Sequence, residues 1–267
     1  MLTYKYILLL LEWYDYRIHR GVAQIAREHG WQLNCPKNPV NNVGFLEDWK
    51  GDGCIALLEC TETLAYLKTH QIPLIDLGLA EHGLPVSRVV TDNQEIARLA
   101  AEHFRDQGYR EIFTLSPGST KMYEERLHYF KKQINNEGGN VHVMQSNHIH
   151  PGVIHELRAE AACRNRRLEE MSIGFFAFED AMGAELISLL LKHELRVPEN
   201  VAVLGVDNDD LINSGLTLGL SSVDTDLEGL GKRAAQELNH LLGAPSKERQ
   251  PTVIRQKPRG VIARQSS

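Results

Sequence analysis

Short apolar runs alternate with amphipathic helical patterns along this chain. The first run, Tyr6–Leu11, predicts a buried strand, and the helical pattern after it ends near Gly30. Further strands are predicted at Cys54–Leu58, Pro73–Leu77, Val89–Val90, Ile112–Leu115, Val141–Met144, Ile173–Phe178 and Val201–Val206. Helices are predicted around 64–67, from Asp92 to Gly108, and at Tyr123–Asn135 and Ala181–Leu191. Most of the strands therefore lead into a helix.

Local signals add detail at two places. Asp92 and Glu95 have the spacing of a capping box, which predicts that Asp92 begins the helix ending near Gly108. The stretch from Gly243 to Pro258 is rich in proline and charge, and it predicts a surface connection.

This order of elements defines the fold class. Repeated strand–helix units with continuous apolar strands indicate an α/β fold with a parallel sheet covered on both faces. The length also permits a single eight-fold barrel. The strand–helix pattern occurs twice, once before about Gly108 and once after it, which favours two doubly wound parallel-sheet lobes. Open sheets of this kind bind ligands at the carboxyl ends of their strands, so we expect a ligand cleft between the lobes.

Composition narrows the class of partner. Among 267 residues, 29 Lys and Arg against 35 Asp and Glu give a net charge of −6, which disfavours binding of DNA or an anionic membrane by this chain. Cys35, Cys54, Cys60 and Cys163 show no C-x-x-C spacing and predict thiols in a reducing compartment, the cytoplasm. Tyr6–Leu11 is too short for an export signal or a membrane span.

Signals for catalysis are weak. No G-x-S-x-G motif, phosphate-binding loop or G-x-G-x-x-G motif follows a predicted strand. His148 and His150, with His155 nearby, suggest a metal site, but an H-x-H in a chain with 12 histidines is more often incidental. Two carboxylates such as Asp15 and Asp207 leave glycoside hydrolysis open. We expect no catalytic residue, metal or cofactor.

An ordered set of motifs resembles a known family. Val197-Pro198-Glu199-Asn200 followed by Val201–Asn208 is similar to a late signature of the sugar-sensing domain of lactose/galactose-repressor regulators. The resemblance continues through Leu220–Val223, Gly231 and Ala234-Ala235, and it begins earlier with Thr91-Asp92-Asn93, Glu102–Phe104, Glu125-Arg126 and Tyr129-Phe130. Similarity to the xylose-operon activator group within this family rests on Tyr14-Asp15, Gly21-Val22, Gly51-Asp52-Gly53, Asp207-Asn208 and Leu220–Val223.

The resemblance implies a type I periplasmic-binding-protein-like fold and a role in transcription regulation. It implies an N-terminal lobe of 1–109 plus about 224–245 and a C-terminal lobe of 110–223 plus about 246–267. We expect an isolated sensor domain that closes on a monosaccharide effector, with a pentose such as xylose favoured. A homodimer is expected, with DNA contacted only through a domain absent from this chain. A transport-type sugar-binding protein of the same fold and a cleft enzyme remain alternatives.

Sugar chemistry selects the candidate site residues. Vicinal hydroxyls need carboxylates as acceptors, a guanidinium as donor and an aromatic face for the C–H side. Asp15, Asp180 and Asp207 each follow a predicted strand, and Trp13 and Tyr14 offer a stacking wall. The resemblance adds four further ligand-binding candidates, namely Asp92, Arg126, Glu179 and Thr225.

Each candidate has a plainer interpretation. Asp15, Asp92 and Asp180 have the position of helix N-caps, and Asp207 is able to hold its own turn through an Asx bond. The remaining alternatives are pairing of Arg126 with Glu124 or Glu125 on a solvated helix face, and packing of Trp13 and Tyr14 between the lobes.

Overall fold

The computed structural model describes residues 4–36, 46–47, 49–58, 61–80, 83–245 and 250–267. The chain divides into two compact units. Unit 1 comprises Met1–Thr91 and Asp226–Gln256, and unit 2 comprises Asp92–Thr225 and Lys257–Ser267. Cys35, Cys54 and Cys163 are free thiols, whereas Cys60 lies outside the described residues.

Unit 1 is a six-stranded parallel sheet with helices on its faces. Its elements are β1 (Lys5–Leu11), α1 (Tyr16–Glu28), β2 (Trp31–Asn34), β3 (Gly53–Leu57), α2 (Thr61–Thr69), β4 (Leu74–Asp76), β5 (Ser87–Thr91), α8 (Leu227–Gly243) and β11 (Val253–Gln256). The strand order is β11-β5-β4-β3-β1-β2, and every neighbouring pair is parallel.

The first strand shows why the sheet is covered on both faces. Ile7, Leu9 and Leu11 belong to one buried cluster, whereas Leu8 and Leu10 belong to another. Successive side chains of a strand point to opposite faces, so a continuous apolar run needs an apolar layer on each side. The open sheet, with β11 and β2 at its edges, rules out the barrel alternative.

Two glycines let α1 and α8 pack backbone against backbone. A Cβ at Gly21 would lie 2.1 Å from the carbonyl oxygen of Glu228, and one at Gly231 would lie 2.3 Å from that of Ile18. Neither position has room for a side chain. This close contact explains physically why both motifs contain glycine.

Unit 2 repeats the architecture with one reversed edge strand. Its elements are α3 (Asn93–Asp106), β6 (Glu111–Thr114), α4 (Lys121–Asn136), β7 (Asn140–Val143), α5 (Gly152–Cys163), β8 (Ile173–Phe176), α6 (Asp180–Lys192), β9 (Val201–Val206), α7 (Asp210–Ser214), β10 (Ser221–Asp224) and β12 (Gly260–Ile262). The strand order is β12-β10-β9-β8-β6-β7, with β12 antiparallel to β10 and the other pairs parallel. Phe104, Phe130 and Phe176 join α3, α4 and β8 in one buried core.

The unit boundaries differ from the predicted ones at two places. Helix α3 belongs to unit 2, because Phe104 packs on Phe130 of α4 with ring centroids 6.1 Å apart. Strand β11 lies inside the stretch predicted as a surface connection and pairs with β5 in unit 1. Its four residues alternate between exposed and half-buried and include Arg255, so the sequence there lacks the continuous apolar run of strands such as β1 and β9.

Five further elements, namely β2, α5, α7, β10 and β12, were not predicted. None of the helices in the described ranges is long and apolar enough to cross a membrane.

Candidate functional site

Polar side chains collect at one edge of the unit 2 sheet. Glu179 and Asp180 follow β8, Asp207 directly follows β9, and Thr225 directly follows β10. These three strands are parallel neighbours in the sheet, so their carboxyl ends meet. The structure therefore brings four of the nine predicted site residues to one edge, and Arg126 joins them from α4.

Asp207 is held in an uncommon backbone conformation. Its φ is +101°, and that of the next residue, Asn208, is +48°, a region that L-residues other than glycine seldom adopt. The Asp207 Oδ1 atom accepts a hydrogen bond from Thr225 Oγ1 at 3.0 Å. The side chain keeps 20% of its surface exposed, so the carboxylate is oriented and still reaches solvent. Strained backbone held this firmly is typical of functional sites.

The turn after Asp207 is held by its neighbours. The backbone N–H of Asn208 donates to Ser222 Oγ at 2.9 Å, and its Oδ1 accepts from Arg264 Nη2 at 2.6 Å. These bonds connect the turn to β10 and to the chain after β12, and they offset the backbone strain.

Arg126 is almost completely buried beside this carboxylate. Its side chain is 1% exposed, Nε donates to Asn93 Oδ1 at 2.8 Å, and Nη1 donates to the carbonyl oxygen of Phe178. Nη2 lies 3.3 Å from Met122 Sδ and 3.9 Å from Asp207 Oδ1. The alternative of a solvated ion pair with Glu124 or Glu125 is therefore wrong.

Asp180 stabilises the turn after Asp207 through both of its carboxylate oxygens. Oδ1 accepts from Ser222 Oγ and Oδ2 accepts from the Asp209 backbone N–H, each at 2.6 Å, and the residue is 1% exposed. Asp180 is the first residue of α6, whose N-cap is Glu179, so the predicted capping role does not hold. A Cβ at Gly205 would lie 2.2 Å from Asp180 Oδ1, which explains the glycine in β9.

Tyr123 also lies at this edge of the sheet, and it is not among the predicted site residues. Its ring stacks on Phe178 with centroids 5.1 Å apart. Burial raises the pKa of its hydroxyl above the ordinary value, and the negative charge of the Glu179 carboxylate raises that pKa further. Only its position in the first turn of α4, three residues before Arg126, offered a sequence signal.

Asn93 belongs to the Thr91-Asp92-Asn93 motif and is not among the predicted site residues. Its amide is completely buried, accepts from Arg126 Nε and donates from Nδ2 to Glu125 Oε2 at 2.7 Å. It therefore fixes the orientation of the Arg126 guanidinium.

The remaining candidates have local partners. Asp92 caps α3 by accepting from the Glu95 N–H at 3.1 Å, and Asp15 caps α1 by accepting from the Arg17 N–H at 2.8 Å. Both capping predictions are confirmed. In unit 1, Trp13 and Tyr14 are 55% and 64% exposed, and the Tyr14 hydroxyl is 3.0 Å from His19 Nδ1. Ligand contact by these four residues, Trp13, Tyr14, Asp15 and Asp92, stays a prediction.

His150, one of the histidines considered for a metal site, has a structural role. His150 Nδ1 accepts from the Gly152 N–H at 3.1 Å, at the start of α5. The rings of His148 and His150 lie 5.0 Å apart. No group of three or more metal-ligating side chains occurs within the described ranges.

The unit 2 edge combines complementary hydrogen-bonding groups in one place. A carboxylate accepts, a guanidinium donates, and an aromatic ring lies beside them. The 3.9 Å from Arg126 Nη2 to Asp207 Oδ1 exceeds a direct hydrogen bond. A hydroxyl group is able to accept from the arginine and donate to the aspartate at once. This arrangement suits a small polyhydroxylated ligand.

The chain belongs to the periplasmic binding protein-like domain family, which it matches over residues 101–267. It is similar to the Xylose operon regulatory protein of Escherichia coli (strain K12), with 26% identity over 238 residues that cover 86% of this chain and 60% of that protein. The chain thus spans about 60% of the length of the curated relatives that it matches first.

Solved structures share the fold. The transcriptional regulator CelR in complex with cellobiose has a TM-score of 0.79 at 21% identity, covering 98% of this chain and 84% of that one. The xylose-binding transcription activator xylR has a TM-score of 0.75 at 23% identity, covering 99% and 70%. The predicted fold class is confirmed, and so is the resemblance to sugar-sensing domains near the xylose-regulator group.

Proposed function

We propose that this chain is the effector-binding domain of a sugar-responsive transcription regulator, and that it binds a monosaccharide without catalysis. The arrangement of Arg126 and Asp207 carries the proposal, because the buried donor and the partly exposed acceptor are spaced for a bridging hydroxyl. Both groups are held by other bonds before any ligand arrives, which lowers the entropic cost of binding.

A pentose such as xylose is the favoured ligand. The support comes from the names of the similar proteins, a xylose operon regulatory protein and a xylose-binding activator. Epimers differ in the placement of one hydroxyl, so a single hydrogen-bond partner decides between them. Glu179 and Tyr123, which interact electrostatically with each other, are a second polar pair that we propose for this discrimination.

The proposed signal is a shift between conformations of the regulator. A ligand changes such an equilibrium by the difference between its affinities for the two conformations. The net charge of −6 supports assigning DNA contact to another part of a longer, cytoplasmic protein. We propose that the regulator works as a homodimer.

A thermal-shift screen of monosaccharides tests the ligand class. We expect one or more of D-xylose, L-arabinose, D-ribose, D-glucose and D-galactose to raise the melting temperature. A sugar at about 100 times its Kd adds about 2.7 kcal/mol of stability, which corresponds to roughly 5–10 °C for a chain of this size. If every one of these sugars, at concentrations up to about 50 mM, shifts the melting temperature by less than about 1 °C, the proposal fails.

A further inference from the structure

A cavity of about 280 Å³ lies in unit 1 at the amino ends of two neighbouring strands. Its lining includes Leu74, the first residue of β4, and Ser87, the first residue of β5. Open parallel sheets usually bind ligands at the opposite edge, where the strands have their carboxyl ends. Every described residue that lines this cavity belongs to unit 1. We call it the amino-edge cavity.

Much of the lining of the amino-edge cavity is apolar. Leu74 and Val86 belong to one buried cluster, and Ile72 packs against that cluster. Leu241, near the end of α8, packs against the second cluster of unit 1. The lining also contains three prolines, namely Pro73, Pro85 and Pro251. Because proline has a fixed φ, these segments have little freedom to fill the cavity, which is therefore largely preformed.

One cation stands beside this apolar lining. Lys68 lies in the last turn of α2, and its Nζ donates to the carbonyl oxygen of Pro85 at 3.0 Å. An ammonium group has three donors, so two remain for other acceptors. No carboxylate in the described part of the chain pairs with Lys68, and none of the described lining residues is acidic. The cavity therefore favours a ligand with negative charge.

Ser87 adds a buried hydroxyl group to the lining. The residue is 6% exposed, and its Oγ accepts a hydrogen bond from the Thr252 N–H at 3.3 Å. A hydroxyl also has one hydrogen to donate, and no side chain or carbonyl group within the described ranges accepts it. A buried donor without an acceptor is unfavourable, so an acceptor atom inside the cavity stabilises this position.

The end of α2 does not prevent an anion from binding. A helix C-terminus carries partial negative charge on its last carbonyl groups. Here the carbonyl oxygens of Tyr66, Leu67 and Lys68 all accept backbone N–H groups from the residues that follow the helix, which weakens the repulsion. Gln71 and Gln250 add two amide side chains to the lining, and neither is hydrogen-bonded to another described residue.

We propose that the amino-edge cavity binds a small monocarboxylate with an aromatic or branched aliphatic body. Lys68 and Ser87 donate to the carboxylate, and the apolar lining covers the body of the ligand. A single ammonium matches a single negative charge, whereas a phosphate dianion would keep one charge unpaired. The volume lies just below that of sites for drug-sized ligands, which is about 300–1,000 Å³, so the ligand is small. This site does not rest on the proposed sugar site.

Titration of the whole chain with benzoate, phenylacetate and 4-methylpentanoate, without sugar, tests the proposal. Methyl ¹H–¹³C NMR follows the binding. We expect at least one acid to bind with a Kd below about 1 mM and to shift the methyl signals of Ile72, Val86 and Leu241. The matching alcohols, benzyl alcohol, 2-phenylethanol and 4-methylpentanol, lack the charge and are expected to bind at least about fivefold more weakly.

A lysine substitution and its matched control locate the charge. Lys68→Met keeps the length of the side chain but removes the ammonium, and we expect it to raise the Kd of the acid at least about fivefold. Lys132→Met, at an exposed position of α4, is expected to leave that Kd within about twofold. Circular dichroism checks that both variants fold.

Four results would each overturn the proposal. They are a Kd above about 1 mM for all three acids, alcohols that bind within about fivefold of the acids, a rise of less than about fivefold in Lys68→Met, and methyl shifts confined to other parts of the chain. Because no sugar is present, failure of this site would leave the proposed effector-binding function unaffected, and failure of the sugar screen would leave this site unaffected.

Discussion

Replacing Arg126 by methionine is expected to lower the free energy of unfolding by about 2–4 kcal/mol. Methionine keeps most of the side-chain length but removes the donors to Asn93 Oδ1 and to the Phe178 carbonyl oxygen. Both acceptors lie in a dry interior, where loss of a donor costs about 1–3 kcal/mol. The cation beside Asp207 disappears as well. Urea denaturation followed by circular dichroism measures the change.

A surface arginine provides the matched control. Arg158 is 43% exposed and pairs with Glu169 at 3.4 Å, so Arg158→Met is expected to cost no more than about 0.5 kcal/mol. Equal losses for the two variants would contradict the buried, hydrogen-bonded position of Arg126. Because of this structural role, loss of sugar binding in an Arg126 variant cannot by itself identify a ligand contact.

Asp207→Asn separates ligand binding from stability. Asparagine tolerates a positive φ and keeps an oxygen for the bond from Thr225, so we expect the melting temperature to change by less than about 2 °C. The negative charge is lost, and hydrogen bonds to a charged group contribute about 1.5–3 kcal/mol. The Kd for the sugar found in the screen is therefore expected to rise about 10- to 150-fold in calorimetric titration.

Asp106→Asn is the control for this experiment. Asp106 ends α3 and is 66% exposed beside Arg105, so the same change there is expected to leave sugar affinity within about twofold. An unchanged Kd for Asp207→Asn would remove Asp207 from the site. An equal loss in both variants would point to a general effect of charge.

The sequence predicts the sheets well because their strands are buried on both faces. Tyr6–Leu11 and Val201–Val206 are short, continuous apolar runs. In an α/β protein a run of this kind indicates a strand that is covered on both faces. Strand β11 was missed because an edge strand of four residues with an exposed Val253 does not need an apolar run. The position of α3 was also missed, since only the contact of Phe104 with Phe130 assigns it to unit 2.

The site was predictable by residue type but not by role. Arg126, Asp180 and Asp207 were all expected at the ligand, yet the carboxylate oxygens of Asp180 accept from Ser222 and from the Asp209 backbone. A sequence shows which side chains follow a strand, whereas burial and hydrogen-bond partners decide which of them still reach solvent. Tyr123 was missed for the same reason, because its stacking on Phe178 is a contact between distant segments.

We propose that a monosaccharide binds at the carboxyl ends of the unit 2 strands. A crystal structure of the chain with the sugar found in the screen would show where the sugar lies. We predict sugar hydroxyls within about 3.2 Å of the Asp207 carboxylate and of the Arg126 guanidinium. A sugar bound away from both groups would disprove this site.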